Sequence, residues 1–205
     1  MAMRIALIDY RAGNLTSVKK ALTAVGADLF IPTEPADLER ADAVVVPGVG
    51  HFGATRALTP QWIDTMRAGV DAGKALLGIC LGMQWLFDGS AEAPECAGLR
   101  LFAGQCCRLP SHVNGTSVKI PHVGWNALNV QRPDSIVEGV APGAQVYFTH
   151  SFAAPITDDT VAITEHGQPF AAIIQRGSVA GVQFHPEKSG DVGLTILRNF
   201  LRLVG

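Results

Sequence analysis

The stretch Gly78-Ile79-Cys80-Leu81-Gly82-Met83-Gln84 follows an apolar run at 75–77 and precedes a second one at 85–87. This order predicts a short buried strand, a sharp turn at Cys80 and a helix that begins directly after the turn. Glycines around a nucleophile let the backbone fold tightly and expose one side chain, as in a nucleophile elbow. A thiol at a helix N-terminus is also favoured as the thiolate. A buried structural cysteine would leave the same local pattern, so the interpretation depends on the rest of the chain.

The composition is that of a globular α/β protein. The chain has 205 residues, 48% of them hydrophobic and 17% charged, with a formal net charge of −2. We expect a single domain over 1–205. The balanced charge gives no indication of binding to nucleic acid or to an anionic membrane, and no apolar run is long enough for a membrane span.

The number and spacing of the cysteines indicate the redox compartment of the protein. Their spacing shows no metal-ligand pattern, and the adjacent pair would be awkward as a disulfide. Reduced cysteines favour a cytoplasmic protein, and we expect neither a metal nor a cofactor. The four cysteines are Cys80, Cys96, Cys106 and Cys107.

The first half of the chain alternates predicted strands and helices. Asn14 is a candidate N-cap for the first helix, and Gly26 a candidate stop. The β-branched run Ala43–Val46 is typical of a strand covered on both faces. The predicted elements are strands at 4–9, 28–31 and 43–46 and helices at about 15–25 and 60–72, the second with Trp62, Ile63, Met66 and Val70 facing inward.

A glycine-rich loop, Pro47-Gly48-Val49-Gly50, follows the strand at 43–46. Open α/β sheets bind ligands at the carboxyl ends of their strands, although an ordinary strand-to-helix turn would also show these residues. Beyond about residue 95, shorter strands separated by turns are predicted, and the chain closes with a helix over 189–203. The pattern predicts an α/β fold with a central, mostly parallel sheet flanked by helices and with antiparallel additions.

A second constellation, His185-Pro186-Glu187, lies where a strand predicted over 179–184 ends. Two-residue spacing in extended backbone puts both side chains on the same side. The histidine can exchange protons near neutral pH, and the carboxylate can orient it. Alternatively, His185 only caps the sheet and Glu187 only favours the following helix N-terminus. Together with Cys80, the two residues form a candidate Cys-His-Glu triad.

These blocks resemble the signature motifs of class I (triad) glutamine amidotransferases, in the same order along the chain. Within that family the whole chain is similar to the glutaminase subunits of imidazole glycerol phosphate synthase, which act in histidine biosynthesis. Arg11 stands where a glycine is common and Val123 where a methionine is common. The blocks that carry the closer similarity are Asp9-Tyr10, Gly13-Asn14-Leu15, Lys119-Ile120-Pro121-His122-Val123-Gly124-Trp125-Asn126, Tyr147-Phe148-Thr149-His150-Ser151 and His185-Pro186-Glu187-Lys188-Ser189.

The resemblance implies a flavodoxin-like fold and a specific role for each residue of the site. Cys80 would attack the carboxamide of glutamine, His185 would protonate the leaving ammonia and activate water, and Glu187 would orient His185. The N–H of Leu81 and one from Gly48-Val49-Gly50 would bind the oxyanion. Gln84 would help to hold the substrate; ordinary polar capping is the alternative.

The resemblance also implies a partner, because no acceptor domain is recognisable in the sequence. That partner would be a (β/α)8-barrel cyclase subunit that uses the ammonia to make imidazole glycerol phosphate and aminoimidazole carboxamide ribonucleotide. Asn14, Trp125, Tyr147 and Lys188 are candidates for the shared face, although the two aromatic residues are equally suited to a core. The glutaminase of another synthase, such as pyridoxal 5'-phosphate synthase, and a catalytically silent scaffold remain alternatives. A cysteine peptidase is disfavoured because no feature suggests an extended peptide groove.

Overall fold

The protein is seen here as a computed structural model that describes residues 3–13 and 15–204. The described chain contains four α-helices, several short 3-10 turns and fifteen strands. The helices are α1 Leu15–Ala24, α2 Pro60–Asp71, α3 Leu81–Trp85 and α4 Gly190–Arg202. The strands are β1 Arg4–Leu7, β2 Asp28–Phe30, β3 Ala43–Gly48, β4 Ala75–Cys80, β5 Gly89–Ser90, β6 Gln105–Arg108, β7 His112–Val113, β8 Thr116–Ser117, β9 His122–Ala127, β10 Asn129–Val130, β11 Gln145–His150, β12 Phe152–Ala153, β13 Thr160–His166, β14 Gln168–Arg176 and β15 Val179–Val182.

Eight strands form the central sheet in the order β10-β13-β14-β15-β4-β3-β1-β2. The pairs from β15 to β2 are parallel, and those from β10 to β15 are antiparallel. Every residue of β3 and β4 is buried, as expected for central strands covered on both faces. The predicted mostly parallel sheet with antiparallel additions is therefore confirmed.

Helices cover both faces of this sheet. On one face, α1 and α4 contribute Val18, Leu22, Ile196 and Phe200 to one apolar cluster. On the other face, α2 and α3 contribute to a second cluster, in which Met66 is fully enclosed. Of the residues predicted to face inward on α2, Trp62, Ile63 and Val70 are only partly buried and pack against that cluster.

Most predicted elements are present with ends that differ by one to a few residues. The helix predicted to begin beside Asn14 runs over Leu15–Ala24, but Asn14 itself lies outside the described residues. Gly26 has a φ of 96°, which suits the stop predicted there. The last strand ends at Val182 rather than at 184, so Gln183 and Phe184 leave the sheet before His185.

A two-stranded antiparallel ribbon, β9 paired with β11, lies beside the main sheet. Tyr147 pairs with Trp125, and His150 with His122. Alternate residues of β11 face inward, so Val146, Phe148 and His150 are buried while Tyr147 and Thr149 are half-buried. The β9–β11 ribbon therefore has one face in the core and one face towards solvent.

Candidate active site

Cys80 ends β4 and immediately precedes α3, so the predicted strand-turn-helix junction is confirmed. Its φ of 53° lies in a region that residues other than glycine rarely adopt. Backbone strain of this kind is concentrated at functional sites. The neighbouring glycines allow this turn: a Cβ on Gly82 would lie 1.8 Å from the carbonyl oxygen of Val46, and one on Gly78 would lie 2.7 Å from the Gly82 backbone. The sharp turn therefore depends on the absence of side chains at both positions.

His185 lies beside Cys80 because the strand that leads to it, β15, is hydrogen-bonded to β4. Its backbone N–H donates to the Tyr147 carbonyl at 2.9 Å, and its own carbonyl accepts from Ser189 Oγ at 2.6 Å. The backbone of His185 is thus fixed by hydrogen bonds at both its N–H and its carbonyl group, which positions the imidazole.

Glu187 reaches His185 through a turn and not through extended backbone. Residues Pro186–Lys188 form a 3-10 turn, so the extended conformation predicted for this segment is wrong. The proline cannot continue a ladder, and the turn brings Glu187 Oε1 within 2.8 Å of His185 Nδ1. Both side chains are almost completely enclosed, with exposures of 2% and 4%. Because the carboxylate only accepts, it fixes the proton on Nδ1 and leaves Nε2 for exchange.

The environment of His185 favours its protonated form. Burial alone lowers the pKa of His185, but interactions with the Cys80 side chain and the Glu187 carboxylate outweigh it and raise the pKa to about 9. Nε2 is buried and makes no hydrogen bond of regular geometry within 3–13 and 15–204. The interaction between the imidazole and the Cys80 side chain, which raises this pKa, is the contact through which the two can share a proton.

The sulfur of Cys80 has two further contacts that sequence reasoning missed. It lies 3.9 Å from the Thr149 carbonyl, to which the thiol can donate, and Gln183 Nε2 donates to it at 3.6 Å. Gln183 sits in the bend between β15 and His185 and is fully buried. The one feature of the sequence that could have indicated this contact is that Gln183 lies two residues before His185.

A cavity of about 280 Å³ opens beside Cys80. Gln84, predicted to hold substrate, lines it and donates through Nε2 to the Phe152 carbonyl at 2.8 Å. Glu92 also lines the cavity, and its carboxylate accepts from the Phe52 N–H at 2.7 Å. The full lining is Gly50, Cys80, Leu81, Gln84, Glu92, Pro121, Thr149, His150, Ser151 and Phe152. Glu92 escaped the sequence analysis because it lies between β5 and β6 in an irregular loop with no motif.

The glycine loop runs along the cavity but does not present all its donors there. Gly48 pairs with Cys80 in the β3–β4 ladder, and Gly50 lines the cavity. The N–H of Val49 donates to the Ala12 carbonyl at 3.1 Å. Leu81 is the first residue of α3, where the backbone N–H has no partner within the helix. Of the predicted oxyanion donors, the Val49 N–H is therefore occupied elsewhere.

Three of the four candidate partner residues lie together at the outer face of the β9–β11 ribbon. Trp125 is 57% exposed and its ring centroid lies 6.1 Å from that of Tyr147. Lys188 Nζ is 5.6 Å from the Tyr147 ring centroid. The fourth candidate, Asn14, lies outside the described residues. The aromatic pair is thus a surface feature and not part of the core.

The two departures from the family pattern also lie outside the cavity. Val123 is 52% exposed on the ribbon beside Trp125. Arg11 has a φ of 62°, which explains why a glycine is common there. Its N–H donates to Asp9 Oδ1 at 2.9 Å, which helps to hold the strained turn.

Within 3–13 and 15–204, no group of three or more His, Cys, Asp or Glu side chains is arranged to hold a metal ion. No helix among these residues is long and apolar enough to cross a membrane.

Comparison with known proteins identifies the family. The sequence pattern of the family described as "Glutamine amidotransferase class-I" matches residues 6–204. The chain is a class I glutamine amidotransferase. A protein of Methanothermobacter thermautotrophicus named imidazole glycerol phosphate synthase subunit HisH is 42% identical to this chain, over 98% of both chains. A protein of the same name from Deinococcus radiodurans is also 42% identical, over 98% of this chain and 94% of its own. Within its family, the amidotransferase belongs with these HisH subunits.

Solved structures support the fold of the amidotransferase. A crystal structure described as a glutamine amidotransferase aligns with a TM-score of 0.75 at 22% identity, over 98% of both chains. A chain of the PurLQS structure from Thermotoga maritima aligns with the same TM-score of 0.75 at 18% identity, over the whole of both chains. At these identities the agreement concerns the fold alone.

Proposed function

We propose that the amidotransferase hydrolyses glutamine to glutamate and ammonia through Cys80, His185 and Glu187, and supplies the ammonia to a partner cyclase. The observation that carries this proposal is a strained cysteine on the cavity wall, beside a histidine whose pKa is raised and which an enclosed carboxylate holds from behind. Buried groups with perturbed pKa values that converge on a cleft are typical of active sites.

In the first half-reaction the Cys80 thiolate attacks the side-chain carboxamide carbon of glutamine and forms a C–S bond. The tetrahedral intermediate collapses as the C–N bond breaks, and His185 Nε2 gives its proton to the departing ammonia. A water molecule, deprotonated by the same nitrogen, then attacks the γ-glutamyl thioester and releases glutamate. Glu187 keeps the proton on Nδ1 and stabilises the imidazolium at both stages.

The cavity suits the polar ends of glutamine. Glu92 offers a carboxylate to the α-ammonium group, and Gln84 offers an amide to the substrate. Its volume of about 280 Å³ is small, as expected for a single amino acid rather than a peptide. This size favours a free amino acid over a peptide and so argues against a peptidase.

Oxyanion stabilisation needs the N–H of Leu81 and one from Gly48-Val49-Gly50. The Val49 N–H must first leave the Ala12 carbonyl, to which it donates at 3.1 Å. A rotation of the Gly48–Val49 peptide would turn this donor towards the cavity, and one such donor contributes about 3–4 kcal/mol to the transition state. We therefore propose that the isolated subunit rests in a weakly active state.

The partner we propose is a (β/α)8-barrel cyclase that binds the outer face of the β9–β11 ribbon. Exposed Trp125 and Val123 support this, because aromatic residues are enriched where protein surfaces meet. With the ammonia, the complex would produce imidazole glycerol phosphate and aminoimidazole carboxamide ribonucleotide. In the same proposal residues 1–205 form one domain, since strands from both halves of the chain share one sheet. The expected cytoplasmic location stays a prediction.

The first experiment measures glutamine hydrolysis with the candidate cyclase and its nucleotide ligand added or withheld. We expect weak turnover by the isolated amidotransferase and at least a hundredfold rise in the complex, as befits one oxyanion donor gained. Equal turnover in both conditions would contradict the partner and the loop rotation together.

The second experiment replaces the nucleophile. In the complex, Cys80→Ala should abolish synthesis from glutamine and leave synthesis from added ammonia intact, because only the first depends on the thiol. Cys107→Ala, at an exposed cysteine, is the matched control and should retain both activities. Loss of the ammonia-dependent reaction in Cys80→Ala would assign Cys80 a structural role instead.

A further inference from the structure

Gln183 lies fully buried between the nucleophile and Gln84. Its backbone is fixed, because its N–H donates to the Ala172 carbonyl at 2.9 Å. Its side chain spans from Gln84, 3.2 Å away, to Cys80 Sγ, 3.6 Å away. Burying a carboxamide is costly unless both of its ends find partners, and here both ends do.

The orientation of this carboxamide is determined by its neighbours. The Phe152 carbonyl can only accept, so the group that Gln84 points at it, 2.8 Å away, must be the NH₂ of Gln84. The same NH₂ donates to Gln183, which must therefore present its oxygen to Gln84. The Gln183 NH₂ is consequently the end that faces the sulfur.

The two contacts of the sulfur respond differently to ionisation. A thiol donates to the Thr149 carbonyl, but a thiolate has no proton to donate and is repelled by that oxygen. The Gln183 N–H attracts both forms and attracts the anion more strongly, since hydrogen bonds to charged acceptors are the stronger ones. Gln183 thus favours the thiolate and holds it at a fixed position.

We propose that Gln183 is a positioning residue for the reaction, which donates an N–H to the Cys80 thiolate and aims the sulfur into the cavity. The inference rests on the proposed function only in taking Cys80 as the nucleophile. The titratable groups that face Cys80 are His185 and Tyr10, with Glu187 behind the histidine and Glu92 and His150 on the cavity wall. A substitution at Gln183 leaves all of them in place.

The test compares Gln183→Met with Gln175→Met. Methionine is similar in length and has no N–H, so the sulfur loses its donor. Gln175 is another buried glutamine, whose side chain makes hydrogen bonds with Ile136, Ser135 and Gly177, outside the cavity. Alkylation of Cys80 by iodoacetamide is followed by mass spectrometry of the peptide that contains Cys80. The pH is varied from about 5 to about 10, a range that spans the ordinary pKa of a thiol. This readout excludes the exposed Cys107.

We expect the pH of half-maximal alkylation to rise by about one unit in Gln183→Met, with a rate about tenfold lower near neutral pH. Gln175→Met should match the wild type in this profile. In glutamine hydrolysis, kcat of Gln183→Met should fall while KM stays within about twofold, because Gln84 keeps its bond to Phe152. If the role of Gln183 were purely structural, the pH of half-maximal alkylation would not change, and kcat would not fall without a change in KM.

A second variant covers the case in which Gln183→Met does not fold. Gln183→Glu keeps an oxygen for Gln84 and replaces the NH₂ by a carboxylate, so it should raise the alkylation midpoint in the same direction. An unchanged midpoint in a folded variant of either kind overturns the inference. Hydrolysis that survives in Cys80→Ala would instead overturn the proposed function, so the two failures are distinguishable.

Discussion

Apart from atoms of the candidate triad, one buried polar atom near Cys80 lacks a hydrogen-bond partner in the described residues, and it is informative. Gln84, Gln183 and His150 each have hydrogen-bond partners on the side chain. The hydroxyl of Tyr10 is buried and has no partner in the described parts of the chain. Burial, and to a lesser extent the nearby Cys80, raises the pKa of Tyr10, so this group is a neutral phenol. An unpaired buried hydroxyl lowers the stability of the fold.

Removing that hydroxyl should therefore stabilise the protein. We expect Tyr10→Phe to raise the free energy of unfolding by about 1 kcal/mol, because the ring keeps its packing and no donor is left unpaired. Urea unfolding followed by circular dichroism measures this difference. Tyr147→Phe, at the half-buried second tyrosine, is the control and should change it by less than about 0.5 kcal/mol. A destabilised Tyr10→Phe would mean that the hydroxyl makes a favourable contact in solution.

At the scale of elements, the strand-turn-helix unit of β4 and α3 depends on close backbone packing. The helix lies directly over β3, with Gly82 facing the carbonyl of Val46. Any side chain at Gly82 forces β3 and α3 apart, and α3 carries Leu81 and Gln84 of the cavity wall. The glycine is therefore required by packing as well as by the turn.

Two glycine-to-alanine substitutions in helices should have opposite effects. In Gly82→Ala the new methyl would lie 1.8 Å from a backbone oxygen, and we expect a loss of about 3 kcal/mol in the free energy of unfolding. In Gly69→Ala, on α2, the methyl would meet Lys74 at an ordinary 3.5 Å, and we expect a gain of about 0.5–1 kcal/mol. Thermal or urea unfolding of both variants tests this. Equal effects at the two sites would refute the packing argument.

These elements were predictable from the sequence where the signal is local. The turn at Cys80 follows from glycines within two residues of it, and α4 follows from apolar spacing that matches its buried face. The 3-10 turn at Glu187 was not predicted, because extended and turn backbones both satisfy a two-residue spacing. Gln183 and Glu92 were missed for another reason. Their partners are distant in sequence, and only the folded sheet brings a glutamine of one strand end to the sulfur of another.

On the scale of the whole molecule, strand order creates the site. Because β4 lies between β3 and β15, the glycine loop, the nucleophile and the histidine follow three adjacent parallel strands and meet at one edge of the sheet. The β9–β11 ribbon closes this edge: Thr149 and His150 reach the cavity, while Trp125 and Tyr147 face outward on the same two strands. A partner bound to the outer face would thus touch the same ribbon that lines the cavity.

On the buried face of the ribbon lies a directed chain of hydrogen bonds through two neutral histidines. His150 Nδ1 donates to the Phe152 carbonyl at 2.9 Å, so its Nε2 accepts from His122 Nδ1 at 3.1 Å. His122 Nε2 in turn accepts from the Asn126 amide at 3.3 Å. Burial is the main cause that lowers the pKa of His150 to about 3, and burial together with His166 lowers the pKa of His122 to about 4. The chain exists only while both rings are unprotonated.

This arrangement predicts how stability depends on pH. The unfolded chain protonates His150 below about pH 6.5, whereas the folded protein resists protonation down to about pH 3, so folding loses stability as the pH falls through that window. From pH 7 to pH 5, His150 alone should account for a loss of about 2 kcal/mol. The raised pKa of His185, about 9, acts with the opposite sign: its stabilisation is complete below about pH 6.5 and is lost as the pH rises through 9.

The measurement is urea unfolding at pH 7 and pH 5 for the wild type and for His150→Gln. Glutamine can still donate to the Phe152 carbonyl but does not titrate, so the difference in unfolding free energy between the two pH values should shrink by about 2 kcal/mol. Contributions from carboxylates and from His185 are common to both proteins and cancel. His112→Gln, at an exposed histidine on β7, is the matched control and should leave the difference as it is in the wild type. The same pH difference in His150→Gln as in the wild type would show that the buried pair does not set the acid sensitivity of this fold.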